Sequence, residues 1–174
     1  MYNQRPFGYR EGTVMNKVVL LERIQQQLVQ TLQIATEAAM RAYNTATDDE
    51  NVAENKYDTF ALEASYLAHG QAQRVAECKA DISAYQHLFA SMPTQQNTVV
   101  VGHLVALEDH DGNVKHVFLG PAAGGLKFTI GGQNVIIVTP TSPFGEALLG
   151  REVDEEVDIH IGGNIILFDV INIV

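Results

Sequence analysis

From residue 16 to residue 89 the chain holds no proline and a single glycine, Gly70. Proline removes a backbone donor and glycine adds conformational freedom, so a stretch without them that is rich in Ala, Gln, Leu and Glu is predicted to be helical. Its second part carries a regular apolar seam: Tyr57, Ala61, Ala64, Ala68, Gln71, Val75, Cys78, Ile82, Tyr85 and Phe89. The steps alternate four and three, which is a heptad pattern with Gln71 as its polar member. The first part shows a looser version through Leu21, Ile24, Leu28, Leu32, Ala35, Ala39, Ala42 and Ala46. Between them Thr47, Asp48, Asp49, Glu50 and Asn51 are polar throughout and mark a reversal of direction. A short connection makes the two helices antiparallel. At about 1.5 Å per residue, two helices of roughly 30 to 38 residues form a rod on the order of 45 to 55 Å long.

Side-chain size varies along this rod. Leu21, Ile24 and Leu28 are expected opposite Ile82, Tyr85 and Phe89 at the base. Nearer the turn the seam is alanine: Ala35, Ala39, Ala42 and Ala46 opposite Ala61, Ala64 and Ala68. Small residues let backbones approach, so a slim, polar-tipped probe is expected. Alanine's helix propensity alone also accounts for that composition.

After Pro93 the alphabet changes to β-branched residues and turn pairs. Residues 98–108 alternate through Val99, Val101, Leu104 and Val105, and Asp111-Gly112 turns the chain into 114–119. Strands are expected at 126–130 and 135–139 around Gly131-Gly132, and at 157–161 and 165–174 around Gly162-Gly163. One short helix is signalled by Ser142 as N-cap, Pro143 at the first position, Glu146 in the first turn and Gly150 as the stop. Phe144, Ala147, Leu148 and Leu149 give it an apolar face. The expected organisation is α+β: a leader at 1–15, a coiled-coil hairpin at 16–92 with its acidic tip near 47–54, a linker at 93–97, and a twisted antiparallel sheet with one helix at 98–174.

Charge narrows the partners. Eight basic residues stand against eleven acidic ones in 1–96, and three against ten in 97–174, giving the net −10. Independent nucleic-acid binding needs a basic stripe, which this balance does not supply. An acidic protein meets a basic surface or a metal. No apolar run is long enough to span a bilayer. Residues 1–14 are polar, with Arg5 and Arg10 and no apolar core behind them, unlike a secretory signal. Cys78 alone permits no internal disulfide and fits a reducing cytoplasm.

The strongest candidate for chemistry is the tip, where Asp48, Asp49, Glu50, Glu54 and Asp58 are opposed only by Lys56. Hard cations such as Mg²⁺ prefer carboxylate oxygen and are commonly held by one or two carboxylates plus groups from elsewhere. Glu50 and Glu54, and again Glu54 and Asp58, share a helix face if helical. The same residues also read as capping: Asn51 and Glu54 have capping-box spacing, and acids suit a helix N-terminus. Histidines 69, 87, 103, 110, 116 and 160 are scattered, and are expected exposed or half-buried. His103 and His116 could meet across a hairpin, without making a convincing zinc site. Cys78 reads as a packed hydrophobe on the seam. Ser142-Pro143-Phe144-Gly145 lacks the glycine spacing of a nucleophile elbow, and the Gly-Gly pairs lack a P-loop lysine.

Two stretches carry a family resemblance. Glu54-Asn55-Lys56-Tyr57 resembles the acidic Glu-Asn-x-x-Tyr tip of Gre-type transcript cleavage factors, with one residue instead of two between Asn55 and Tyr57. Residues 142–150, Ser-Pro-Phe-Gly-Glu-Ala-Leu-Leu-Gly, with the acidic, Val-rich run 153–158, are similar to the family's C-terminal run. The order of parts is also similar over about residues 16–174: hairpin, linker, FKBP-like domain. The resemblance implies a factor that binds bacterial RNA polymerase, its C-terminal domain at the rim of the secondary channel and its hairpin reaching the active centre. There, tip acids would help hold a second Mg²⁺ and a water, so that the polymerase's own two-metal site hydrolyses backtracked RNA. The factor would not be an enzyme by itself.

Carried over by position, Glu54 and Asn55 match the family's Glu and Asn, while Asn51 and Val52 stand where Asp and Leu are expected. Glu54, with Glu50 or Asp49, is therefore the set expected to act in trans. Glu54, Asp48, Asp49 and Glu50 are the candidate ligands to a shared Mg²⁺. Asn51, Asn55, Tyr57, Ser142, Pro143 and Phe144 are the candidate partner contacts. Asn51 brings no charge to a metal, which leaves open a relative that enters the channel and regulates or inhibits transcription without stimulating cleavage. A coiled-coil adaptor would keep the seam and be indifferent to the tip acids. A peptidyl-prolyl isomerase is suggested only by fold, and the aromatic residues after Pro93 number four, Phe118, Phe128, Phe144 and Phe168.

Overall fold

The computed structural model describes residues 16–47, 59–94 and 97–174. Helix α1 runs Lys17–Thr47 and helix α2 runs Phe60–Ala90, each 31 residues or about 46 Å long. Asn16 caps α1, its Oδ1 accepting from the Val18 and Val19 amides at 3.0 and 3.3 Å. The early residues of α1 meet the late residues of α2 in one core, so the pair is antiparallel. The alternating seam is present: Ile24, Leu28, Ala35 and Ala42 of α1 and Ala64, Cys78 and Tyr85 of α2 are buried. Two positions differ from the expected pattern. Leu20 rather than Leu21 is the fully buried residue at the start of α1, and Leu88 joins Tyr85 at the end of α2. Both lie where the hairpin meets the sheet, so a third surface adds to the two-helix periodicity.

The sheet has six strands: β1 (Leu104–Asp109), β2 (Val114–Leu119), β3 (Lys127–Ile130), β4 (Gln133–Val138), β5 (Glu156–Ile161) and β6 (Asn164–Ile173). Their order is β3-β4-β2-β1-β6-β5. Neighbours are antiparallel except β2 and β4, which run parallel with His116 opposite Val135 and Leu119 opposite Val138. The sheet is thus mixed where a wholly antiparallel one was expected. The β3–β4 hairpin enters after β2 and brings its second strand, not its first, alongside. Strand β1 is also shorter than the alternation of 98–108 suggests. Thr98 makes only an isolated bridge to Glu152, and the backbone turns at Gly102. Gly102 has φ +100, and a Cβ there would crowd Leu88 and Pro93, so the glycine permits the close junction of hairpin, linker and sheet.

Helix α3 (Pro143–Leu148) lies against one face of the sheet, with Leu148 fully buried among Val105, Val117, Val157, Ile159 and Phe168. Phe144 and Ala147 pack there in part, whereas Leu149 is exposed and Gly145 is buried, a shift of the expected apolar face. The opposite face carries Leu104, Phe118, Val135 and Ile137, which form a single core with Leu20, Ile24, Leu28, Tyr85 and Leu88. Tyr85 is the pin of that junction. Its ring fills the space over Gly120, where a Cβ would overlap its Oη, and the hydroxyl donates to the Ala122 carbonyl at 3.2 Å. Lys17 ties α1 to the end of β6, its Nζ donating to the Val174 carbonyl at 2.8 Å. The hairpin is therefore seated on the sheet by apolar packing and two long-range hydrogen bonds.

Candidate functional site

The tip acids expected to carry chemistry, Asp48, Asp49, Glu50 and Glu54, lie outside the described residues, together with Asn51, Asn55 and Tyr57. What the structure describes is the shaft that carries them. Above the base the buried seam consists of Cys78, Ala35, Ala42 and Ala64, with Ala39, Ala46 and Ala68 half-buried beside them. The small-residue seam read in the sequence is thus present among the described residues as far as Ala46 on α1 and from Ala64 on α2. Thr45 and Thr47 direct their hydroxyls back to the Arg41 and Tyr43 carbonyls at 3.0 Å each, leaving the last turn of α1 regular. The outer surface of this upper shaft exposes Met40, Tyr43, Leu62, Tyr66 and Leu67. Sequence reasoning passed over these residues because they fall off the heptad seam.

The second candidate region is the turn between β4 and α3. Ser142 is a working N-cap: its Oγ accepts from the Gly145 amide at 3.1 Å and donates to the Thr139 carbonyl at 2.7 Å. A Cβ on Gly145 would overlap that same Thr139 carbonyl, so the turn closes only with glycine there. Phe144 lies against Phe168 with ring centroids 6.2 Å apart. Pro143 alone of the three is exposed. Ser142 and Phe144 thus hold the turn together, and Pro143 is the member of the trio presented outward.

The histidines are dispersed, as expected, with two exceptions in detail. His116 is opposite Ala106, so it does not meet His103 across the hairpin. His103 is fully buried, where an exposed or half-buried side chain was expected, and its Nδ1 accepts from the Val100 amide at 3.2 Å. Burial holds His116 below the ordinary imidazole pKa. Burial, with Asp81 nearby, pushes the Tyr85 hydroxyl well above its ordinary value. Cys78 is buried on the seam, in the place of a small hydrophobe. Among the described residues no group of His, Cys, Asp or Glu could hold a metal ion.

No family model and no curated protein matches the chain. Solved structures do. The crystal structure of GreA factor homolog 1 (Gfh1) of Thermus thermophilus matches at 22% identity over 86% of this chain and 94% of that one, with a TM-score of 0.38. Thermus aquaticus Gfh1 matches at 21% identity over 90% and 93%, TM-score 0.39. The elongation factor GreA/GreB from Nitrosomonas europaea matches at 12% identity over 64% and 91%, TM-score 0.33. All three are Gre factors or Gre homologues. At these identities and scores the likeness brings neither an activity nor a partner to this chain. The arrangement expected from the heptad seam and the strand and turn pattern, a long helical hairpin followed by a sheet with one short helix, is present in the chain itself. Among the described residues no helix is long and apolar enough to cross a membrane.

Proposed function

We propose that the chain is a Gre-like transcription elongation factor that works on bacterial RNA polymerase in the cytoplasm. The observation that carries this reading is the build of the hairpin. Two 31-residue helices are seated by one end on a sheet, carry an alanine-rich seam above that end, and lead to an acidic segment whose Glu54-Asn55-x-Tyr57 resembles the Gre tip. A probe of that length delivers carboxylates into a deep site on a partner. The body at its base, with the Ser142-Pro143-Phe144 turn, would rest at the rim of the polymerase secondary channel.

Glu54, with Glu50 or Asp49, then supplies oxygen ligands to a Mg²⁺ held jointly with the polymerase. Such a shared metal would supply stabilisation of the entering and leaving oxygens when water attacks the RNA phosphodiester. The chain contributes ligands and no complete reaction centre. The test is transcript cleavage by stalled, backtracked polymerase. Wild-type chain should accelerate cleavage, and Glu54→Ala should lower the acceleration by about 10²-fold or more, the scale of losing one charge-stabilising group. Equal rates with and without the chain would remove the cleavage role.

A second reading is favoured by Asn51, which stands where the family pattern has an aspartate. An amide oxygen can ligate a metal but adds no negative charge. On this reading the chain occupies the channel and regulates or inhibits transcription without promoting cleavage. Slower nucleotide addition with no added cleavage distinguishes it from the first.

A further inference from the structure

The sheet face under the hairpin is covered over only part of its width. Leu104, Phe118, Val135 and Ile137 lie beneath the hairpin base. The same face continues from Leu104 through Ala106 to Glu108 along β1, and then crosses to the neighbouring strands, because Glu108 stands opposite Asp169 and Asp169 opposite Glu156. Along β6 this face presents Asp169, Leu167 and Ile165, and Ile171 follows at the β-bulge. These three aliphatic side chains are 60% (Ile165), 45% (Leu167) and 38% (Ile171) exposed. Beside them on β5 stand Asp158, opposite Leu167, and His160, opposite Ile165. A shallow groove is lined by Glu108, His110, Glu156 and the β6 run Ile165–Asp169.

We infer that this half-face is a docking surface for a basic amphipathic helix of another protein. Its apolar residues would lie on Ile165, Leu167 and Ile171, and its Lys or Arg side chains would reach Glu108, Asp169 and Glu156. The adjoining half of the face is already covered by helices, and helix on sheet is the ordinary way to bury such a surface. Charge selects the partner's sign. Glu108, Asp169 and Glu156 form a row of carboxylates on three adjacent strands, an arrangement that like-charge repulsion disfavours. Among the described residues none of the three takes part in an ion pair. Lys115 is directed to the other face, over the Phe168 ring. A second copy of the chain in a twofold pairing would set carboxylates against carboxylates. Nucleic acid and anionic lipid are repelled by the same row. This inference does not rest on the polymerase reading.

Methyl-selective NMR of the full chain tests it, with three synthetic 15-residue helical peptides as probes: leucine-faced with lysine flanks, leucine-faced with glutamate flanks, and lysine-flanked with serine on the apolar face. The Leu/Lys peptide should shift the methyls of Ile165, Leu167 and Ile171, and neither control should. Leu167→Ser, and separately Glu156→Gln with Asp169→Asn, should each weaken that binding by about tenfold or more, as expected for central contacts. Unchanged far-ultraviolet circular dichroism of both variants excludes misfolding as the cause. Equal binding of the Leu/Glu or Ser/Lys peptide, or shifts scattered over the acidic surface, would overturn the inference. So would movement of these methyls on dilution without peptide, which identifies a second copy as occupant. Movement on deleting residues 1–15 would identify the chain's own leader instead.

Discussion

Ser142 and Gly145 close one turn between them, and each has a measurable cost of removal. Ser142→Ala loses both the cap on α3 and the bond to the Thr139 carbonyl, and is expected to destabilise the chain by about 1 kcal/mol in urea unfolding. Gly145→Ala forces a methyl group onto the Thr139 carbonyl and should cost about 1–3 kcal/mol or more. If the Gly145 variant is as stable as wild type, the turn is looser than described. His116 supplies a pH signature. Burial lowers its folded-state pKa below the unfolded value of 6.5, so the unfolded chain binds the proton more readily. Its contribution is fully present above pH 6.5 and is lost as pH falls through that value toward the folded pKa. The urea midpoint of wild type should therefore drop more between pH 7.5 and 5.5 than that of His116→Gln, and parallel curves would contradict this. The Ser142 cap was legible from Ser-Pro followed by Glu146. The burial of His103 was not, because it goes with the turn at residues 100–103, which the strand-like alternation of 98–108 hides.

Among the elements, the described part of the hairpin is graded from its base to its upper shaft. Ile24→Ala at the base removes a fully buried side chain from the core shared with the sheet and should cost about 2–5 kcal/mol. Ala42→Gly in the upper shaft alters mainly backbone freedom and should cost about 1 kcal/mol. Similar losses for the two, measured by thermal unfolding, would remove the distinction between an anchored base and a slim shaft. The heptad steps through Ala64, Cys78 and Tyr85 made this element readable, since a helix reports its buried face in the sequence. Leu20 and Leu88 escaped because a third surface, the sheet, buries them. The parallel β2–β4 pairing was equally hidden: local alternation announces strands but not their neighbours. The carboxylate row of Glu108, Asp169 and Glu156 depends on the β1–β6–β5 register, and its members lie up to 61 residues apart in the chain.

At the scale of the whole molecule, hairpin and sheet share one core at the hairpin base. Tyr85→Phe tests that joint: loss of the bond to the Ala122 carbonyl should cost about 1 kcal/mol. Larger effects on polymerase-dependent activity than on stability would show that the angle of the hairpin matters to function. On the proposed reading, the acidic body and probe are built for RNA polymerase. The most direct measurement is binding of the intact chain to purified bacterial core polymerase at moderate salt, beside a variant in which Asp48, Asp49, Glu50 and Glu54 are replaced by their amides. Wild type is predicted to bind saturably, one chain per polymerase, with the tip variant still bound but unable to alter transcript cleavage or elongation. Absence of saturable binding by wild type would contradict both the cleavage factor and the channel regulator.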